Sequence, residues 1–355
     1  MTVNTASEIS ADRALKRERL CSLLHAEDSS VWLSSPAAVA WYLDGARIHT
    51  SLVGPPVAGV LVGRDVERVV SFSNEADRLA AEELPAGLEL HTVPWHAPLE
   101  SALVDIAGLR REVDMESEIR AARAALLPRE LARFEQLCAE TAALLTTHLT
   151  AFTSRRTERE LAAEISAGIV GLGADPVVVM IAGATRLTYR HPLPTDAPVG
   201  NHAMIVVCAR RHGLIANLTR WVRIGAARTE DLERERRMLA VEAVYLGATR
   251  QGRTLDQVFR EGAAAYAENG FDAEEWQNHH QGGAAGYAGR DPRATPETPD
   301  VIQDQQAFAW NPSAPGAKVE DTVLLDRAEI RPLTVDPSWP SVTVNGIPRP
   351  VTLEV

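Results

Sequence analysis

The stretch WNPSAPGAKVEDTVLL, residues 310–325, joins a polar, turn-rich lead to a clean apolar run. TVLL reads as a strand, and the Pro and Gly residues before it read as a tight connection. An acidic pair, Glu320 and Asp321, stands where the strand begins. Such a charge ordinarily faces solvent, unless a site claims it. Trp310 is either a core aromatic or the apolar wall of a pocket, and Asn311 follows it directly.

Working outward, NHHQGGAAGYAGRDP (278–292) precedes this segment. On a strand, neighbouring side chains point to opposite faces. His279 and His280 are therefore expected not to face one pocket together, and their spacing lacks the i, i+4 pattern of a helical zinc motif. Further upstream, GLIANLTR (213–220) sets Asn217 among strand-forming residues. Alternation there favours a solvent-facing side chain. RHPLPTD (190–196) puts His191 before a proline, in extended backbone. Taken by itself, His191 reads as a surface histidine bonded to a turn.

The chain has 355 residues, length for two domains, and its formal net charge is -12. That balance argues against a nucleic-acid partner, which needs a basic face. The segment ERERR (233–237) alternates in sign and reads as a solvated helix face. Three widely spaced cysteines, Cys21, Cys138 and Cys208, form no disulfide framework or CxxC pair. No apolar leader opens the sequence. The longest apolar run, VVVMIAGA (177–184), is far short of a membrane span. A cytoplasmic protein with no membrane partner is expected.

Residues 1–115 alternate helix and strand, as in an α/β domain. A helix is predicted over 12–25, with strands at 29–35, 57–63, 67–73 and 88–94. Residues 116–355 read as a second, α+β domain. Its helical opening is broken at Pro128. Thr157 and Glu160 have capping-box spacing, and a second helical region spans 229–267.

The ordered series TERELAAEI (157–165), RHPLPTD, GLIANLTR, HHQGGAAGY and WNPSAPGAKVEDTVLL resembles the creatinase, aminopeptidase P and methionine aminopeptidase family over about residues 115–330. SSPAAVAWYLDGAR (34–47) is similar to the N-terminal domain of its creatinase-type members. The resemblance implies a creatinase-like α/β domain followed by a pita-bread domain. It also implies that metal-dependent members hold two divalent cations with two Asp, one His and two Glu. Those positions fall here on Val206, Asn217, Gly283, Asn311 and Glu320, so a single ligand is retained. Hard cations need several charged oxygens, so a dinuclear centre is not expected, and no cofactor is assigned. A metal held by His279, His280, Cys208 and Glu320 ranks last among the readings.

Creatinase, a metal-independent member, cleaves a C–N bond with a histidine base, and its base corresponds to His191. The resemblance therefore implies a metal-independent C–N hydrolase acting on a small amino-acid derivative or peptide. His191 would be base and acid. Glu320 would neutralise its protonated form, with a raised pKa if the pocket is dry. His279 and Asn311 would bond the oxyanion, and Arg290 would hold a substrate carboxylate. Asn217, His280, Trp310 and Tyr287 complete the expected pocket. Arg47 is expected to reach it from a partner subunit of a homodimer. The alternative is an inactive pseudo-peptidase that holds a peptide or protein partner.

Overall fold

The computed structural model describes residues 6–355, with side chains from residue 10 onward. The described residues form two compact units: those up to Glu130 with His212–Leu214, and Leu131–Arg211 with Ile215–Val355. The sequence reading divided the chain at 115/116. The helix Glu116–Ala124 groups with the first unit.

In the first unit, helix α1 (Ala6–Ser22) leads into β1 (Ser30–Leu33). Ser35 ends that strand by capping α2 (Pro36–Tyr42): its Oγ accepts from the Ala38 N–H at 3.1 Å, with Pro36 at the first helical position. The residues predicted to prolong the strand to 35 thus open a helix. β2 (Ala58–Gly63), β3 (Glu67–Phe72), the single turn α3 (Ala76–Arg78), β4 (Glu89–Val93) and β5 (Leu109–Arg111) follow. The sheet order is β4-β3-β2-β1-β5. β1, β2 and β3 are antiparallel neighbours, whereas β4 and β5 add in parallel. Trp32, Leu61, Val70, Val93 and Leu103 pack on one face. Gly59 is required there, because a Cβ would meet the Trp32 ring at 2.2 Å. Lys16 is buried with its ammonium 2.8 Å from Glu130 and bonded to the Trp41 carbonyl.

After α4 (Glu116–Ala124), α5 (Pro128–Thr150) begins at Pro128, where a missing N–H costs nothing. α6 (Glu158–Gly171) carries the full capping box of Thr157 and Glu160. β6 (Asp175–Ala182), β7 (His202–Arg211) and β8 (Leu214–Arg223) follow, and the terminal β17 (Leu353–Glu354) adds in parallel to β8. The predicted helical region divides into α7 (Thr229–Ala248) and α8 (Leu255–Glu268). Its break lies in the polar segment that leads to the Thr254–Gln257 capping box. A second sheet, β14-β13-β10-β9, is antiparallel: β9 is Gly282–Ala285, β10 Gln306–Trp310, β13 Val323–Asp326 and β14 Glu329–Pro332. The short pairs β11 (Ser313–Ala314) with β12 (Ala317–Lys318), and β15 (Ser341–Val344) with β16 (Ile347–Pro350), lie outside it. α7 and α8 bury Tyr245, Leu246, Phe259 and Tyr266 in one core with Phe308 and Trp310 of β10. Among the described residues, no helix is long and apolar enough to cross a membrane.

Candidate functional site

β8 is buried along its whole length, so it has no solvent face. Asn217 is therefore fully buried, contrary to the alternation expected from sequence. The segment before β13 crosses β8 and fixes its neighbours. Thr219 N–H donates to the Glu320 carbonyl at 3.0 Å, and Asn217 N–H donates to Thr322 Oγ1 at 2.8 Å. This crossing carries Glu320 into the interior, where it is 2% exposed rather than at a solvated strand end.

Glu320 is held by two cations. Arg290 donates Nη2–H to its Oε1 at 2.6 Å, and Lys318 Nζ lies 3.4 Å from Oε2. Thr219 Oγ1 donates to Oε2 at 2.8 Å. Burial pushes the Glu320 carboxyl up, but Lys318 and Arg290, with the bonds from Arg290 and Thr219, outweigh it and bring the pKa down to about 2. The expected elevation is thus reversed, because the site is dry but not uncompensated. Lys318 escaped the sequence reading. Its signal was the i, i+2 spacing to Glu320, which sets both on one face of extended backbone.

Arg290 also donates Nη1–H to Asn217 Oδ1 at 3.0 Å and to the Gly289 carbonyl at 2.5 Å. Both of its Nη atoms are thus bonded internally, while its buried Nε has no hydrogen-bond partner among the described residues. Asn217 Oδ1 accepts from Cys208 Sγ at 3.2 Å, and burial pushes the Cys208 thiol up to about 12. Asn311 is 2% exposed, and its Oδ1 has no hydrogen-bond partner among the described residues.

The three histidines converge. The Nε2 atoms of His191 and His279 are 3.1 Å apart, and Ser313 Oγ lies 3.1 Å from His279 Nδ1. His280 stacks on His191 with ring centroids 5.8 Å apart and lies 4.5 Å from His279. The expectation that adjacent histidines diverge fails because β9 begins only at Gly282. His279 follows the 3-10 turn Glu275–Asn278 in extended backbone, but neither histidine is paired into a sheet. Burial, then Lys318 and the other two histidines, lowers His279 to about 2. Burial, then Arg290, Arg293 and Lys318, lowers His280 to about 3. His191 is exposed and is also lowered, by partial burial and by Lys318.

One expected pocket residue belongs to the core. Trp310 is 1% exposed, stacks on Tyr245 at 4.9 Å and donates its indole N–H to Thr249 Oγ1 at 3.0 Å, so it is core. Tyr287 is buried as well. Arg47 pairs with Glu83 inside the first unit.

The two-metal centre of the fold family does not fit these residues. Gly283 has a φ of +141°, and a Cβ there would meet the Pro292 carbonyl oxygen at 2.5 Å and the Ala294 nitrogen at 2.6 Å. No histidine can stand at that position with this backbone. Val206 packs with Ala182, Met204 and Trp221. Asn217 and Asn311 are neutral amides, and Glu320 is already satisfied by Arg290, Lys318 and Thr219.

No protein-family model matches the chain, and no curated protein sequence matches it. Solved structures do. The Xaa-Pro dipeptidase from Bacillus anthracis superposes with a TM-score of 0.75 at 13% identity, covering 97% of this chain and 100% of that one. The prolidase from Pyrococcus horikoshii OT3 gives 0.73 at 17% identity, covering 90% and 98%. The N-terminal domain of FACT complex subunit SPT16 from Cicer arietinum gives 0.68 at 11% identity, covering 93% and 97%. The chain has the fold of this class: a creatinase-type N-terminal unit and a pita-bread unit.

Proposed function

We propose that this chain is a metal-independent hydrolase of a C–N bond in a small amino-acid derivative or peptide. The observation that carries this reading is the contact of His191 Nε2 with His279 Nε2 at 3.1 Å, within the electrostatic reach of the buried Glu320 carboxylate. The fold, shared with an Xaa-Pro dipeptidase and a prolidase, supports the class of substrate.

Burial lowers the pKa of both imidazoles and so favours the neutral form that a general base requires. In the working tautomer, His279 donates Nδ1–H to Ser313 Oγ and accepts the Nε2–H of His191 at its own Nε2. His191 Nδ1 then keeps its lone pair. A water molecule gives a proton to His191 Nδ1 while its oxygen attacks the substrate carbon. The resulting imidazolium is stabilised by its Nε2–H bond to His279 and by the Glu320 carboxylate, which favours the charged form. The same proton then passes to the leaving nitrogen as the C–N bond breaks. Exposed Arg293, which lies close enough to His280 to help lower its pKa, supplies a cation for a substrate carboxylate in place of Arg290.

The test is hydrolysis of a panel of dipeptides and N-substituted amino acids by chelator-treated protein. Turnover that persists without metal and disappears in His191→Ala supports the reading. No turnover of any member, or turnover that needs added metal, removes it. The likeness to the SPT16 domain favours a second reading, a module that binds a peptide or protein partner. Binding of such a partner that survives His191→Ala would favour it. The homodimer and the cytoplasmic setting belong to the proposal, and a monomer in sedimentation analysis would remove the former.

A further inference from the structure

We propose that His191, His279 and His280 form a mononuclear transition-metal site, separate from the two-metal position of the fold family. One ligand nitrogen from each residue lies within 4.8 Å of the others. Two imidazole nitrogens on one tetrahedral ion, each at about 2.05 Å, stand about 3.3 Å apart. The 3.1 Å between His191 Nε2 and His279 Nε2 is already close to that bite. His280 brings the third ring, and its Nδ1 is buried with no hydrogen-bond partner among the described residues. Among the described residues, the ring contacts of His279 are to His191 and Ser313 and not to a carboxylate.

The surrounding shell is also that of a ligand site. Ser313 Oγ contacts His279 Nδ1, the ring atom a metal on Nε2 leaves free, and so fixes the ring. Gln281 donates its side-chain N–H to the His279 carbonyl at 2.6 Å and accepts from the Tyr266 hydroxyl at 2.7 Å. The Tyr266 hydroxyl also accepts from the Ser313 backbone N–H at 2.8 Å. His279 is thus pinned at its ring and at its backbone by one connected network. His191 is exposed, so an ion that it holds can be reached from solvent. Three imidazoles with one open position suit zinc, cobalt, nickel or copper rather than magnesium or calcium. Lys318 and Arg293 act on these histidines and oppose a bare dication, so the ion is expected to carry an anion at its open position.

This inference goes beyond the hydrolase reading and does not rest on it. A metal on the two Nε2 atoms breaks the His191–His279 proton link, so loading would suppress that hydrolysis. The test needs no activity. Chelator-treated full-length protein is titrated with Zn²⁺ by calorimetry and with Co²⁺ by visible absorption. The expected result is one ion per chain, with the intense visible bands of four-coordinate Co²⁺. Affinity should fall more than tenfold in His191→Ala and in His280→Ala, and about tenfold in Ser313→Ala with the spectrum retained. Cys208→Ser should bind as the parent does. Circular dichroism of each variant separates lost ligands from lost fold, and His191 is exposed enough for its variant to fold. No saturable binding by the parent, two ions per chain, or unchanged affinity in both histidine variants would overturn the site.

Discussion

Gly283 is the position where the argument about metal is most exposed to test. The resemblance puts the family's ligand histidine at this position, so Gly283→His would restore the ligand type. The local backbone refuses it for two independent reasons. A φ of +141° is a conformation that residues with a Cβ rarely adopt, and it costs about 1–3 kcal/mol. The added Cβ also lies 2.5 Å from the Pro292 carbonyl oxygen and 2.6 Å from the Ala294 nitrogen. These are backbone atoms of the segment that forms a bridge with Gly283, so no side-chain rotation relieves them. Moving packed backbone costs a further ~1–3 kcal/mol. The two together make about 2–6 kcal/mol, a large part of the roughly 5–15 kcal/mol that holds a domain folded. Urea unfolding of the parent, Gly283→Ala and Gly283→His measures this directly. Gly283→Ala should already lower the midpoint substantially, and Gly283→His at least as much, with no gain in metal content. A Gly283→His protein as stable as the parent, or one that takes up two divalent ions, would refute the reasoning.

Other outcomes follow from the same packing. Arg290→Ala leaves Glu320 buried with only Lys318 as a cation; breaking a buried pair costs about 3–5 kcal/mol, here reduced by the remaining partner. A double-mutant cycle with Glu320→Gln should recover part of the lost thermal stability. Trp310→Ala should cost ~3–5 kcal/mol by calorimetry, as for a core aromatic, rather than act selectively on a ligand. Burial, then Arg223, lowers His202 to about 4. The unfolded chain takes up its proton near pH 6.5 and the folded chain only near 4. Stability is therefore full above 6.5 and falls through that window, by on the order of 3 kcal/mol. His202→Phe should flatten that part of the pH–stability curve, and an unchanged slope would assign it to other groups.

The fold was legible because its signals are local. Pro128, the Thr157–Glu160 spacing and the apolar runs at 58–63 and 67–72 each act within a few residues, and each stands where its chemistry puts it. The site residues could be named but not their company. Asn217 and Glu320 are buried because one segment crosses another about a hundred residues away in sequence, as the Thr219–Glu320 bond shows. Strand alternation carries no information about such a crossing. For the same reason Arg290, read as a substrate clamp, turned out to be committed to Asn217 and Glu320. The His279–His280 pair was misread because the alternation of a paired strand was applied to residues that lie before β9 begins.

Charge explains why these substitutions belong together. In the metal-dependent pattern, four carboxylates offset two dications. Here Glu320 alone remains, and Arg290 and Lys318 stand against it. Replacing only the ligands would leave a buried carboxylate unpaired, while adding only the cations would bury uncompensated positive charge; either is costly. Among these three groups one positive charge is in excess, counting Glu320 against Arg290 and Lys318. That excess has a chemical consequence. After burial, the larger cause, it adds to the lowering of the pKa values of His191, His279 and His280 and so favours their neutral form. It also favours whatever brings negative charge to the pocket, whether the carboxylate of a substrate, a developing oxyanion or a metal-bound anion. A neutral substrate and its carboxylate-bearing counterpart should therefore differ in KM more than in kcat. Since exposed charges are screened and buried ones much less so, that difference should persist in added salt if it arises from Lys318, and shrink if it arises from Arg293.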